Sequence, residues 1–260
     1  LSFSKYTEEN IEDIIRENEG IILIHNSHRE RKEKLKTKKV IFVENPRECF
    51  IKIANRFFPP VRKYGIDPAA LIGKNCTLGE NIYIGKGTTI GDEVIIGNNT
   101  IIYPGVHIYD NISIGSNCII HSGTVIGSDG FGYERSKDGT ILKFPHYASV
   151  RIGDNVEIGA NTCIDRGTLN DTIIERGVKI DNLCHIAHNT YIGENSYVIA
   201  LSMIGGSTKI GKRVWIAPNS AIKNGLKIDD DAFIGLGAVV LKDVETKQIV
   251  VGVPAKPLRE

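Results

Sequence analysis

From Ile66 to Val240 an aliphatic side chain recurs at every sixth position, set among small and polar residues. The first run passes in step from Ile66, Ile72, Leu78 and Ile84 to Ile126. A short run holds Ile152, Ile158 and Ile164, and a third goes from Ile174 through Ile180, Ile186, Ile192 and Val198 to Val240. An α-helix repeats about every 3.6 residues, so this spacing would not put the aliphatics on one helical stripe. Six residues instead suit a short strand and a turn. Glycine often follows the aliphatic, as at Gly73, Gly85 and Gly97. Three positions after it comes Asn, Gly or Asp, as at Asn75, Asn81, Gly87 and Asn99. Such residues accept left-handed backbone geometry and bend the chain at little cost. Strand, turn and strand with one inward aliphatic apiece make a coil, and stacked coils pile those aliphatics into a continuous core. Parallel crossovers are normally right-handed, and the period alone does not set the hand.

Two interruptions break the rhythm: residues 127–149, and four extra residues between Ile164 and Ile174. A solenoid ejects extra residues as surface loops, and long loops on a rigid scaffold often carry function. The segment before Ile66 has another texture. Residues 7–18 predict a helix with Thr7 as its cap, and 21–24 and 40–43 predict short strands. Asn45-Pro46 opens a helix that Pro59-Pro60 ends. The expected organisation is a small α/β domain over 1–62, suited to a nucleotide, followed by a solenoid over 63–260 that carries the 127–149 loop.

Composition narrows the function. The 260 residues carry a net charge of +1, which argues against a nucleic-acid partner. A basic run over 28–39 reads either as a solvated helix face or as a phosphate-facing surface. The five cysteines include no CxxC pair and read as reduced thiols. Four of them fall inside the repeat, where a small half-apolar side chain fits. No stretch is long and apolar enough to span a membrane, no secretory signal is visible, and the expected location is cytoplasmic.

The repeat departs from its residue preferences most often in one region. The turn position holds Leu183, Leu201, Ser207 and Arg213, and Ala187 replaces the glycine. Local rules tend to break at functional sites. Here lie His185 and His188, which differ in their distance from Ile186 and so face different surroundings. The bland reading is a pair of hydrogen-bonded surface histidines. The sharper reading makes His188 a general base, with Asp181 to orient it and a bare backbone N–H of Gly205-Gly206, one coil on, as an oxyanion donor. Base, orienter and oxyanion donor are the parts an acyl transfer needs.

Three segments carry a family resemblance: Ser128-Asp-Gly-Phe-Gly-Tyr133, Ile164-Asp-Arg-Gly-Thr168 and Ile180-Asp-Asn-Leu-Cys-His-Ile-Ala-His-Asn189. Together they resemble the UDP-3-O-(3-hydroxyacyl)glucosamine N-acyltransferases of lipid A synthesis. The resemblance implies a mainly β fold, a left-handed parallel β-helix with three faces per coil. It also implies a homotrimer with sites between subunits, His188 as base, Asp181 as its support and Gly206 as oxyanion donor. The acceptor sugar falls to Asp129 and Tyr133 of the long loop, to His185 and Asn189, and to Asn26 of the N-terminal domain. A second functional histidine of that family is replaced here by Gly225, near the acyl donor. The chain ends differently, in Gly252-Val-Pro-Ala-Lys256. That ending resembles hexapeptide acetyltransferases that use acetyl-CoA. There Lys256 reads either as a partner for a coenzyme phosphate or as a solvated lysine on a cap.

The function expected from these features is transfer of an acyl group from a thioester to the amine of a nucleotide-linked sugar, with no bound cofactor or metal. Acetyl-CoA is the favoured donor, and the lipid A reaction with acyl carrier protein is the alternative. Three rivals share the scaffold. A zinc enzyme would draw on His107, His121, His185 and His188, but their spacings do not repeat across coils as such a site requires. A non-catalytic binding surface would leave the base, orienter and glycine without a role. An O-acyltransferase would use the same base.

Overall fold

The computed structural model describes residues 2–3, 20–31 and 40–258. The chain divides into two compact units between Arg62 and Lys63. In the first, β1 (Ser2–Phe3), β2 (Ile22–His25) and β3 (Val40–Val43) form a parallel sheet in that order. Sequence patterning finds β2 and β3 but not β1, which is too short to show a period. Helix α1 (Pro46–Phe57) begins with proline where a missing N–H costs nothing. Asn45 caps it, its side-chain oxygen accepting from Glu48 N at 3.0 Å. The helix expected over 7–18 and the basic stretch 32–39 lie outside the described residues.

The second unit is a left-handed parallel β-helix. Its two-residue strands form three faces. The first runs from Gly65–Ile66 to Lys256–Pro257, the second from Leu71–Ile72 to Val239–Val240, and the third from Thr77–Leu78 to Lys227–Ile228. Partners on a face are normally eighteen residues apart, as Ile84 with Ile102 and Ile102 with Ile120. Across the interruptions the pairing is kept, Ile114 meeting Ile152 and Ile164 meeting Ile186. The extra residues therefore leave the coil without disturbing its stack.

The two-residue strands within the stack turn their first residue outward and their second inward. The inward isoleucines are buried and form one continuous core. Two positions before most of the aliphatics a small or β-branched residue fills the corner. Thr100, Thr124, Ser196 and Ser220 donate there to the carbonyls of Gly115, Gly159, Gly211 and Gly235 at 2.8–3.0 Å. These bonds satisfy polar groups the core would otherwise strand. Cys118 and Cys184 occupy the same inner place and are buried. Cys163 does not follow that expectation. It is the outward residue of its strand and is exposed.

The corners are more regular than their residue types. Asn75, Asn99 and Asn189 have φ near +58°. Leu183, Leu201, Ser207 and Arg213 have φ between +56° and +64° at equivalent places. The departures from the residue preferences at these corners are departures of side chain alone. Glycine after the aliphatic answers to a different need. A Cβ on Gly73 would stand 2.5 Å from the Gly91 carbonyl one coil on.

The long insertion extends the strand Val125–Ser128 and then folds as a hairpin, Tyr133–Arg135 pairing antiparallel with Ile141–Lys143. At its tip Asp138 accepts from Ser136 Oγ and Thr140 N, which holds its carboxyl down to about 2. Its far end is tied to the second insertion, Tyr147 N donating to Thr168 O at 2.9 Å.

Candidate active site

His188 sits two residues past Ile186, at the corner between the second and third faces. Its Nδ1 lies 2.8 Å from Asn189 Oδ1. That oxygen is fixed as an acceptor. Thr168 N and Oγ1 donate to it at 3.2 and 2.9 Å, and the amide's other end donates to Asn170 O at 2.6 Å. Nδ1 must therefore carry the proton, and neutral His188 presents Nε2 as a free base. The second insertion supplies Thr168 and Asn170, so an ejected loop sets the tautomer.

Nε2 looks toward Gly206. A Cβ built there would stand 2.8 Å from both Nε2 and Cε1 of His188. At some of the equivalent corner positions, the backbone N–H is taken by a side chain of the next coil. Lys74 N donates to Asp92, Ser116 N to Asp154 and Lys212 N to Asp230. Gly205 N donates to Ile222 O and Ser207 N to His188 O. The N–H of Gly206 between them donates to no group among the described residues. A bare base and an uncommitted donor stand side by side.

Asp165, from the start of the second insertion, supplies negative charge. Its carboxylate lies 3.6 Å from His185 Nε2, and Ser128 Oγ donates to it at 3.2 Å. Burial raises its pKa, against the lowering influence of His185, Ser128, His188 and His146. Those groups mark the reach of its field.

The repeats over 93–128 and 171–206 match the family described as bacterial transferase hexapeptide (six repeats), and 70–104 match the hexapeptide repeat of succinyl-transferase. A UDP-3-O-acylglucosamine N-acyltransferase of Cytophaga hutchinsonii is 45% identical over 68% of this chain and 56% of its own length. The enzyme of the same name from Campylobacter lari is 38% identical over 50% of this chain and 41% of its own. The chain thus spans about half the length of the curated relatives it matches. Among solved structures, the UDP-N-acetylglucosamine O-acyltransferase of Moraxella catarrhalis superposes with a TM-score of 0.68 at 26% identity. That match covers 74% of this chain and 73% of the other. This is a hexapeptide-repeat protein, similar in its coils to the UDP-3-O-acylglucosamine N-acyltransferases.

Within this hexapeptide-repeat fold the expected residues separate into groups. His188, Asn189 and Gly206 are together. Gly225 lies one coil above, its N–H donating to Gly206 O at 2.9 Å, with φ at +74°. His185 points outward from its strand, beside Asp165. Asp129 is engaged by Lys143, which lowers its pKa. Tyr133 packs edge-on against Phe131 at 4.9 Å and helps line a cleft of about 430 Å³ on the hairpin. Asn26 opens a short helix (Asn26–Arg31) in the first unit. Lys256 is exposed in the last strand.

Two expectations need correction within the chain. Asp181 does not support His188. Its carboxylate accepts from Asn182 N at 2.7 Å and Ala200 N at 3.3 Å. It lines a separate cleft of about 540 Å³ with His121, Glu157, Lys179 and Tyr197. Seven residues before His188 is the preceding corner, so the spacing puts the two apart. Asn189, expected to meet substrate, has both ends of its amide engaged by the protein and orients His188 instead. Sequence reading missed Asp165 and also His146, which lies against His188. Among the described residues no three His, Cys, Asp or Glu side chains are grouped to hold a metal ion. No helix among them is long and apolar enough to cross a membrane.

Proposed function

We propose that the chain is an N-acyltransferase acting on the amino sugar of a UDP-linked acceptor. The observation that carries this reading is the unpaired Nε2 of His188 beside the uncommitted N–H of Gly206. The acceptor amine attacks the thioester carbonyl as Nε2 takes its proton. A C–N bond forms, and the carbonyl oxygen becomes an oxyanion held by the Gly206 N–H. Collapse breaks the C–S bond, and the imidazolium returns its proton to the departing thiolate. No enzyme-bound acyl group is formed, and Cys184 is not a nucleophile. An oxyanion donor of this kind lowers the barrier by about 3 kcal/mol. General-base help adds about 10²–10⁴-fold.

The curated relatives support the lipid A type of reaction more than transfer from acetyl-CoA, the donor first expected from the C-terminal segment. The proposed donor is therefore a hydroxyacyl chain on acyl carrier protein, and the proposed acceptor is UDP-3-O-acylglucosamine. On this reading Asp129 and Tyr133 serve the acceptor, Gly225 borders the acyl chain, and the working particle is a homotrimer. The acetyl-CoA reading keeps one support, the exposed Lys256 of the Gly252–Lys256 turn. Incubation with each donor and acceptor, read by thiol release, separates the two. Turnover only with acetyl-CoA would reverse the order. His188→Ala is expected to fold normally and lose at least 10²-fold in kcat. Wild-type rates in that variant would end the base assignment.

A further inference from the structure

His146, at the far end of the long insertion, is only 7% exposed, yet its Nε2 has no hydrogen-bond partner. Buried polar atoms are nearly always paired, so an orphan of this kind asks for an explanation. The ring is otherwise well held. Its Nδ1 lies 3.0 Å from Phe144 O, and Phe144 N donates to Gly132 O at 2.8 Å. A carbonyl only accepts, so Nδ1 carries a proton, and the neutral ring offers Nε2 as a lone pair. The imidazole stands edge-on to that of His188, with centroids 5.6 Å apart and planes at 78°.

Gly130 shows where the two rings converge. A Cβ there would stand 2.8 Å from His188 Cδ2 and 3.0 Å from His146 Nε2. A side chain there would run into both rings, so glycine is what lets this loop lie against the edge of the base and the unused acceptor. The other groups of the site already have work. His188 Nδ1 is bound to Asn189, and Gly206 supplies a donor.

We propose that His146 is a second histidine of the acceptor site, binding an N–H or O–H of the incoming sugar through Nε2. The reacting end of a thioester has no such hydrogen to give. The amine and hydroxyls of a sugar do. A hydrogen bond to His146 would fix the acceptor beside His188, with its amine lone pair turned toward the thioester. This rests on the transferase reading above and adds to it a residue that selects the acceptor.

The test compares wild type, His146→Phe and His146→Gln with UDP-3-O-acylglucosamine and hydroxyacyl carrier protein. Phenylalanine keeps the ring and removes Nε2. Glutamine can still accept. The expected result is an acceptor KM raised about tenfold or more in His146→Phe, the scale of one lost hydrogen bond in a closed site. The donor KM should be unchanged, and His146→Gln should recover most of the loss. An unchanged acceptor KM in His146→Phe, or equal changes in both KM values, would overturn the proposal. Nitrogen-15 spectra of wild-type histidines with the sugar nucleotide alone give a reading that needs neither turnover nor a folded variant. A shift of His146 Nε2 on binding is expected, and its absence with bound ligand would also overturn the proposal. Failure of the transferase reading shows separately, as wild type that never turns over.

Discussion

At Gly206 the backbone itself would accept alanine, since no left-handed φ is required there. The nearest obstacle is the His188 ring, 2.8 Å from the new methyl. Gly206→Ala should therefore change the melting temperature little while lowering kcat by about the 10²–10³-fold typical of a damaged oxyanion site. Comparing calorimetry with turnover checks both halves, and a fully active variant would remove Gly206 from the mechanism. Asp165 makes a pH-dependent prediction. Burial raises its pKa, so the folded chain holds this proton more tightly than the unfolded chain does. Its stabilising contribution is present below the unfolded carboxylate pKa of about 3.9 and is lost as pH rises through the higher folded value. Asp165→Asn, which mimics the neutral form, should raise the melting temperature more at pH 8 than at pH 4. The same change removes a negative charge near His188, so the acidic limb of kcat/KM should move to lower pH. A limb that stays in place would show that the carboxylate does not act on the base. His188 is legible from sequence because its motif is compact. Asp165 is not, because the four inserted residues make its coil 22 residues long, as the pairing of Cys163 with His185 shows. Counting by eighteen passes over it and leaves Asp181 as the nearest carboxylate.

Two-residue strands divide their side chains sharply between core and surface, and the cysteines report that division. Cys118 faces inward, and burial pushes its thiol up to about 11. Burial raises Cys184 as well. Cys163 faces outward, its pKa raised by partial desolvation and the nearby Asp165. Iodoacetamide at pH 8 should label Cys163 in the native protein and leave Cys118 and Cys184 intact until the coil unfolds, as read by peptide mass spectrometry. Native labelling of Cys118 would contradict the inward register of the strand Ile119–Ile120. The period of six makes the strands, their faces and their core visible from sequence. It says nothing about which way a residue turns when it precedes the aliphatic by one rather than by two. That is why Cys163 reads like its inward counterparts until the fold is seen. The hairpin within the long insertion is equally silent, because it answers to no repeat, and His146 reaches His188 only through that hairpin.

The energetics of the corners bear on the whole assembly. Leu183 and Leu201 hold left-handed turns with φ of +58° and +64°. For a residue with a Cβ that geometry costs roughly 1–2 kcal/mol, and asparagine meets it more cheaply. Neither leucine recovers the cost by burial in the single chain, where they are 54% and 56% exposed. Both lie at the corner between the first and second faces, one coil apart. Beside them the outward ladder Tyr197, Trp215 and Phe233 is also partly exposed, its rings 5.2 and 6.0 Å apart. An unfavourable turn and an exposed apolar side chain at the same two positions make sense together if another copy of the chain covers them. The proposed homotrimer supplies such a copy. Leu201→Asn then has opposite effects on the two states. It should stabilise the isolated coil through its turn, and it should weaken association by removing a buried leucine. Sedimentation velocity across a dilution series should show a particle three times the 28.6 kDa chain for wild type, and dissociation at higher concentration for Leu201→Asn. If the variant associates as strongly as wild type, this corner lies outside the subunit contact, and the leucines are strained without return.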